Sequence, residues 1–310
     1  MEKASLVFAG WDGGATKTAV RLVDPSGNLI AENSFGPLNL NGTSPEAVRR
    51  HVTEAVAWTA SRSGSCGGLV IGAAGVSNLK VHAALEADVR AAGYAGPLRI
   101  LGDQEIALHG AIRTYGAVLI AGTGSVCFGR DPSGAFFRTG GRGYLIDDEG
   151  SGYAIGRDIL AAAVRASDGR LSGTCLLDLV YDYLNTDTPE GIVSWVYAPS
   201  TGKKEIAALA PLLLKALSRG DAAALRIAEK ASAALAELVT AAWKSANLRD
   251  GELALTGSIL QRYPCIREGV ILSLQKALPA LRVGDPLGTP AEGAAALALR
   301  LAEHGKEQRS

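Results

Sequence analysis

Leu6-Val7-Phe8-Ala9-Gly10-Trp11-Asp12-Gly13-Gly14-Ala15-Thr16-Lys17-Thr18-Ala19-Val20-Arg21-Leu22-Val23 reads as an apolar strand, a tight glycine turn and a second strand running back along the first. The same pattern returns in Ala117-Val118-Leu119-Ile120-Ala121, Gly122-Thr123-Gly124-Ser125 and Val126-Cys127-Phe128-Gly129-Arg130. A turn with little side chain lets backbone N–H groups face phosphate oxygens, and hydroxyls at Thr16, Thr18, Thr123 and Ser125 add donors. Gly13, Gly14, Lys17, Gly122 and Gly124 complete the two candidate phosphate turns. Asp12 cannot usefully touch phosphate, because like charges repel, but a carboxylate there can hold a magnesium ion or its water shell. Either turn alone is also what an ordinary hairpin needs. Two of them, each followed by a returning strand, point instead to one nucleotide held from two sides.

Other nucleotide signatures fail. The P-loop spacing is missing, since Lys17 follows Thr16 and no helix pattern opens there; in the dinucleotide fingerprint the third glycine position is Cys127. Lys+Arg and Asp+Glu both number 31, and that balance predicts neither a nucleic-acid nor a membrane partner. The four cysteines, Cys66, Cys127, Cys175 and Cys265, and the four histidines are scattered, against a zinc site, an iron-sulfur cluster within the chain or a disulfide framework. No signal-like or membrane-spanning apolar run is visible, so a cytoplasmic protein is expected.

Three strand patterns followed by alternating helix and strand predict a mixed sheet covered on its faces, and a second such series begins at Ala117. An α/β protein of two domains is expected, 1–115 and a larger 116–289 with helical additions, the last helix over 290–304 being available to complete the first. Helices are predicted over 151–166, 205–218 and 222–246 among others, the last with Leu235, Leu238 and Val239 inside.

Asp12-Gly13-Gly14-x-Thr16-Lys17-Thr18, Gly122-Thr123-Gly124-Ser125, the glycine-rich run from Gly140 through Asp147-Asp148-Glu149-Gly150-Ser151 to Gly152, and Leu255-Thr256-Gly257-Ser258 occur in this order. With them the chain resembles the N-acetylglucosamine (hexosamine) kinases of the BadF/BadG/BcrA/BcrD ATPase group, in the actin, hexokinase and Hsp70 superfamily. That resemblance implies two ribonuclease-H-like (actin-like ATPase) domains around a central cleft, with ATP and Mg2+ as cofactors. It further implies transfer of the γ-phosphoryl group to the 6-hydroxyl of a small-molecule amino sugar, by a homodimer. It makes Asp103 the catalytic base, Asn39 and Asp148 sugar-binding with Glu149 in support, and Gly257 and Ser258 the segment beside the adenosine. Three positions depart from the family pattern and bear on which sugar is accepted: Val126 for asparagine, Arg142 for tryptophan and Asp147 for glycine.

Each of these residues also has a plainer reading. Asp103, in Asp-Gln-Glu before an apolar helix, suits an N-cap, and a strand-end carboxylate can both cap and accept a proton. Asn39 suits a turn after proline. Asp147, Asp148 and Glu149 suit the positive end of the helix they precede, as well as directed hydrogen bonds to vicinal sugar hydroxyls. Lys17 suits a solvated hairpin. Two alternatives of other classes are a sugar-sensing repressor, for which no DNA-binding segment precedes Leu6, and an ATPase activator of a 2-hydroxyacyl-CoA dehydratase. The activator would need paired cysteines near the domain junction, where only Cys127 lies.

Overall fold

The computed structural model describes residues 6–39 and 42–307, so Leu40 and Asn41 of the loop carrying Asn39 lie outside the described residues. The strands are β1 (Val7–Gly13), β2 (Thr18–Val23), β3 (Leu29–Phe35), β4 (Cys66–Ala73), β5 (Leu98–Gly102), β6 (Gly116–Ala121), β7 (Ser125–Arg130), β8 (Phe136–Gly140), β9 (Gly251–Thr256) and β10 (Leu281–Gly284). The first six helices are α1 (Pro45–Arg62), α2 (Leu79–Ala91), α3 (Asp103–Ala111), α4 (Gly152–Ser167), α5 (Leu176–Leu184) and α6 (Pro189–Val196). The remaining helices are α7 (Lys203–Ala207), α8 (Pro211–Leu217), α9 (Ala222–Ser245), α10 (Ser258–Arg262), α11 (Pro264–Ala277) and α12 (Pro290–Glu307).

The chain divides into two compact units, Met1–Arg113 with Pro286–Ser310, and Thr114–Asp285. Thr114 and Tyr115 go with the second unit because their hydroxyls donate to Glu252 and Asp250. The segment before α12 goes with the first because Leu287 N–H donates to the Ala111 carbonyl.

Each unit is built on a five-stranded sheet of the same topology, β3-β2-β1-β4-β5 in one and β8-β7-β6-β9-β10 in the other. In both, the first three strands form an antiparallel meander and the last two run parallel to the first. β1 is apolar on both faces because both are covered. Val7, Ala9 and Trp11 pack with Val48, Val52 and Val56 of α1 and Leu85 and Val89 of α2, while Phe8 meets Ala294, Ala295 and Ala298 of α12. Glycine at position 10 permits that second contact: a Cβ there would lie 2.1 Å from the backbone nitrogen of Ala295. The edge strand β3 carries Glu32, Asn33 and Ser34 exposed, as an edge facing solvent should.

In the second unit, α9 buries Ile227, Ala231, Leu235, Val239 and Trp243 along one stripe, spaced four residues apart, while Leu238 is only partly buried. The single helix expected over 205–218 is two, α7 and α8. Pro211 opens α8 at its first turn, where its missing N–H costs nothing, but it could not continue a preceding helix without losing a backbone bond. α10, the five-residue helix after Gly257, is absent from the sequence reading.

Candidate active site

In the first unit the parallel strands β1, β4 and β5 end in register, Gly13 beside Ala73 and Ala73 beside Gly102. Asp12 sits at the end of β1 and Asp103 is the first residue of α3, directly after β5. Gly102, not Asp103, is the N-cap; the Asp103 Oδ1 accepts from the Gln104 N–H at 3.0 Å. The Asp103 side chain lies exposed, at the position the first helical turn favours for an acid. Burial raises the pKa of Asp12, the negative charge of Asp103 raises it further, and Lys17 opposes both. The two carboxylates therefore share one electrostatic environment and repel each other, a donor set that a divalent cation relieves. Magnesium keeps several waters and is usually held by one or two carboxylates and the substrate's phosphates, which fits this pair. Among the described residues no cluster of three or more His, Cys, Asp or Glu could enclose a metal.

The turn itself is folded on its own backbone: the Gly14 N–H donates to the carbonyls of Asp12 (3.2 Å) and Lys17 (3.0 Å). Thr16 and Lys17 are exposed. Thr18 differs from the expectation of a phosphate donor, being buried with its hydroxyl donating to the Gly36 carbonyl at 2.7 Å. That bond ties the Pro37-Leu38-Asn39 loop to the hairpin. The loop is held at two further points, by the His51 ring, whose Nδ1 lies 2.9 Å from the Pro37 carbonyl, and by Leu38, which packs against Gly13. Since a carbonyl only accepts, His51 carries its proton on Nδ1. A side chain on Gly36 would meet the His51 ring at 2.2 Å. His51 was not singled out in the sequence. Asn39, half-buried, caps the turn by accepting from the Gly42 N–H through its carbonyl.

In the second unit the turn between β6 and β7 is braced from behind. The N–H groups of Gly152 and Tyr153, unpaired within α4, donate to the carbonyls of Gly122 (2.7 Å) and Thr123 (3.3 Å). Ser125 is buried, its hydroxyl donating to the Glu149 carbonyl at 2.7 Å and its N–H to Asp148 Oδ1 at 3.2 Å. Asp148 has a left-handed backbone, φ 65°, and a side chain only 4% exposed. Its second oxygen accepts from Lys203 Nζ at 2.6 Å, and Lys203 also lies over the Tyr144 ring. Both Asp148 oxygens are thus engaged inside the protein, one with the Ser125 N–H and one with Lys203. Glu149 is likewise committed, to a two-bond fork with Arg157 at 2.9 and 3.0 Å, and Arg157 holds its carboxyl below the usual range. Asp147 accepts from the Arg142 N–H and shapes the loop before it.

A cavity of about 280 Å³ adjoins this turn. Gly122, Thr123 and Ser258 line it together, joined by Ala207, Arg262 and Tyr263, which sequence reading missed; Gly124 and Ser125 are not in its wall. Gly257 is left-handed, φ 96°, and a Cβ there would lie 2.4 Å from the Ala121 carbonyl, so only glycine lets β9 turn into α10 against β6.

A model of the BadF/BadG/BcrA/BcrD ATPase family matches residues 9–298. A relative named N-acetylmuramic acid/N-acetylglucosamine kinase, from Clostridium acetobutylicum, is 33% identical over 80% of this chain and 82% of its own. An N-acetyl-D-glucosamine kinase of Dictyostelium discoideum is 27% identical, covering 94% of this chain and 98% of its own. Among solved structures, a candidate N-acetylglucosamine kinase from Chromobacterium violaceum superposes with a TM-score of 0.69 at 27% identity, over 96% of this chain and 99% of that one. A glucokinase of the ROK family from Streptomyces griseus, solved with glucose and AMPPNP, shares the fold at 17% identity and a TM-score of 0.54, over 95% and 99% of the two chains. The two sheets are those of the actin-like ATPase fold.

Proposed function

Because the chain belongs to the BadF/BadG/BcrA/BcrD ATPase family, we propose that it is an ATP-dependent kinase of an amino sugar, phosphorylating the 6-hydroxyl. The observation that carries this reading is the acid pair of the first unit, Asp12 half-buried with a raised pKa and Asp103 exposed at a helix start beside it. Phosphoryl transfer asks a protein mainly to position groups and to neutralise charge. Asp103 orients the sugar hydroxyl and takes its proton as the oxygen forms its bond to the γ-phosphorus and the bond to the ADP oxygen breaks. Asp12, with bound waters, would hold magnesium, which when present neutralises phosphate charge.

Within the first unit Gly13, Gly14, Thr16 and Lys17 form a turn suited to phosphate, and within the second Gly122, Thr123, Gly124, Gly257 and Ser258 supply nucleotide contacts. Thr18 and Ser125 act on these contacts by holding their turns. Asn39 offers the sugar a donor and an acceptor, on a loop fixed by Thr18, His51 and Leu38. Asp148 and Glu149 serve the sugar side by shaping the loop from Arg142 to Ser151, with Lys203 and Arg157 as their counter-ions. The activator reading loses ground because Cys127 is wholly buried in β7, which pushes its thiol up to about 12. A thiol so placed is not presented as a cluster ligand.

ADP release with magnesium-ATP against N-acetylglucosamine, glucosamine, N-acetylmuramic acid and glucose tests the proposal. Release strictly dependent on one of the amino sugars supports it; sugar-independent hydrolysis overturns it. The homodimer is part of the same proposal and is tested by light scattering.

A further inference from the structure

The second unit holds a cation directly against its phosphate turn. Lys203, the first residue of α7, places Nζ 2.6 Å from Asp148 Oδ2 and over the Tyr144 ring, 6.0 Å from its centroid. The same ammonium stands where a side chain on Gly124 would project: a Cβ there would lie 2.7 Å from Lys203 Nζ and 2.9 Å from Asp148 Oδ2. Gly124 does not have a left-handed backbone, so it is glycine for room and not for conformational freedom. The second glycine of Gly-Thr-Gly-Ser therefore admits the lysine to the turn.

Several contacts fix this ammonium in place. The Gly202 N–H donates to Glu205 Oε2 at 2.9 Å and sets the start of α7. α7 in turn lies on α4, where a Cβ on Gly156 would meet the Ile206 carbonyl at 2.0 Å. Tyr144 packs edge-on against Tyr153 of α4, with ring centroids 4.9 Å apart. An ammonium carries three N–H donors, and Asp148 accepts from one of them. No other hydrogen bond to a described residue engages Lys203, and its side chain keeps 31% of its surface exposed. A charge held this way is oriented before anything binds.

We propose that Lys203 donates to an oxygen of the nucleotide's terminal phosphate and that Asp148 aims it there, an inference that rests on the kinase reading above. The cavity beside the turn gives the direction. Gly122 and Thr123 line it with Ser258, and Gly124 does not. With the adenosine beside Ser258, the phosphates follow the turn from Gly122 toward Gly124, and the last of them meets the ammonium. Lysine binds phosphate as a point charge. The transfer is unchanged: the bond from the γ-phosphorus to the ADP oxygen breaks, the bond to the sugar oxygen forms, and Lys203 keeps its protons while neutralising phosphoryl charge. Asp148, anchored on the Ser125 N–H, orients the ammonium but also tempers its pull on an anion. The two residues should therefore act on nucleotide affinity in opposite directions.

Calorimetric titration of the full-length protein with magnesium and either AMPPNP or ADP, without sugar, tests this. Lys203→Met combined with Asp148→Asn leaves no charge stranded. That variant should weaken AMPPNP about tenfold or more, the loss of a charge-assisted hydrogen bond, and ADP, which lacks the terminal phosphate, by no more than about threefold. Asp148→Asn alone keeps the ammonium and removes the competing carboxylate, so it should bind AMPPNP at least as tightly as the wild type. The proposal is overturned if the double variant binds AMPPNP as the wild type does, or loses ADP by the same factor. It is equally overturned if Asp148→Asn weakens AMPPNP as much as the double variant, the outcome of a purely structural pair, or if the wild type binds neither nucleotide. Unchanged AMPPNP affinity with a loss of turnover confined to N-acetylmuramic acid would assign the lysine to the sugar's carboxylate instead. A protein that passes the binding test yet phosphorylates no sugar would lose the kinase reading and keep the phosphate contact.

Discussion

The turn after β1 and the turn after β6 open two sheets of one topology, yet their acids are treated in opposite ways. Beside the first, Asp12 and Asp103 are left to repel each other, and burial makes ionised Asp12 costlier still. Beside the second, Asp148 is buried against Lys203 and the Ser125 N–H, and Glu149 is forked by Arg157. Charge left unsatisfied is charge available to a metal ion, a phosphate-bound water or a substrate proton. Charge satisfied internally holds backbone in place. The first unit should therefore lose chemistry when its acids change, and the second should lose stability.

The sharpest separation is expected at Asp103. Asp103→Asn keeps the size of the side chain and an oxygen to accept from the Gln104 N–H, but cannot take a proton. Turnover should fall by about 10²–10⁴, the usual worth of a general base, with little change in melting temperature. Steady-state ADP release and thermal unfolding, run on one preparation, check both halves. Near-normal turnover with intact sugar binding would remove Asp103 from the reaction.

Lys203→Met is the matching change in the second unit. It strands the Asp148 carboxylate, which is only 4% exposed, and removing one partner of a buried pair costs about 3–5 kcal/mol. Lys203 itself is 31% exposed, so solvent screening places the expectation at or below the lower end of that range. Denaturant unfolding measures it, and Asp148→Asn added to Lys203→Met should recover most of the loss. A Lys203→Met protein as stable as the wild type would dissolve the contrast between the turns.

What the sequence shows and what it hides follow from the same geometry. The two strand-turn-strand patterns were readable because alternation and glycine are local, and Ser44-Pro45 and Ser151 marked the starts of α1 and α4 as N-caps do. Lys203 was not readable, because the bond to Asp148 joins positions 55 residues apart. Nor was the reason for Gly10, which lies in a helix near the other end of the chain. The orientation of Thr18 was within reach: Thr18, Val20 and Leu22 alternate onto the buried face of β2, so a hydroxyl at the first of them turns inward. Ser125, Cys127 and Gly129 repeat that pattern in β7. Reading the alternation through the turn residues would have separated donors that face outward from those that hold the turn.

Asp12→Asn should sharpen the comparison with a smaller effect on stability, of opposite sign. Because the folded-state pKa of Asp12 is raised, ionised Asp12 destabilises the fold wherever it is ionised. That penalty is present at neutral pH and disappears as pH falls through the raised value toward the ordinary 3.8. The variant should thus melt higher than the wild type at pH 7, and the difference should close on acidification, while turnover falls and more magnesium is needed. Glu149 has the reverse sign: its depressed pKa contributes stability above about the usual 4.5, lost as pH falls through the lower folded value. Melting curves across pH for Asp12→Asn and Glu149→Gln should therefore move in opposite directions at neutral pH.

The smallest effect is expected at Thr18, where the first turn holds its neighbour instead of offering charge. Thr18→Val keeps the shape but removes the donor to the Gly36 carbonyl, a bond worth about 0.5–1.5 kcal/mol. The Pro37-Leu38-Asn39 loop would still be held by His51 and by Leu38 against Gly13, so it should loosen without detaching. The consequence is a rise of severalfold in KM for the sugar with KM for ATP little changed, since Asn39 is on that loop and Thr16 and Lys17 are not. A rise in KM for ATP alone would instead return Thr18 to the phosphate contacts, and the first turn would then resemble a phosphate cradle at every hydroxyl.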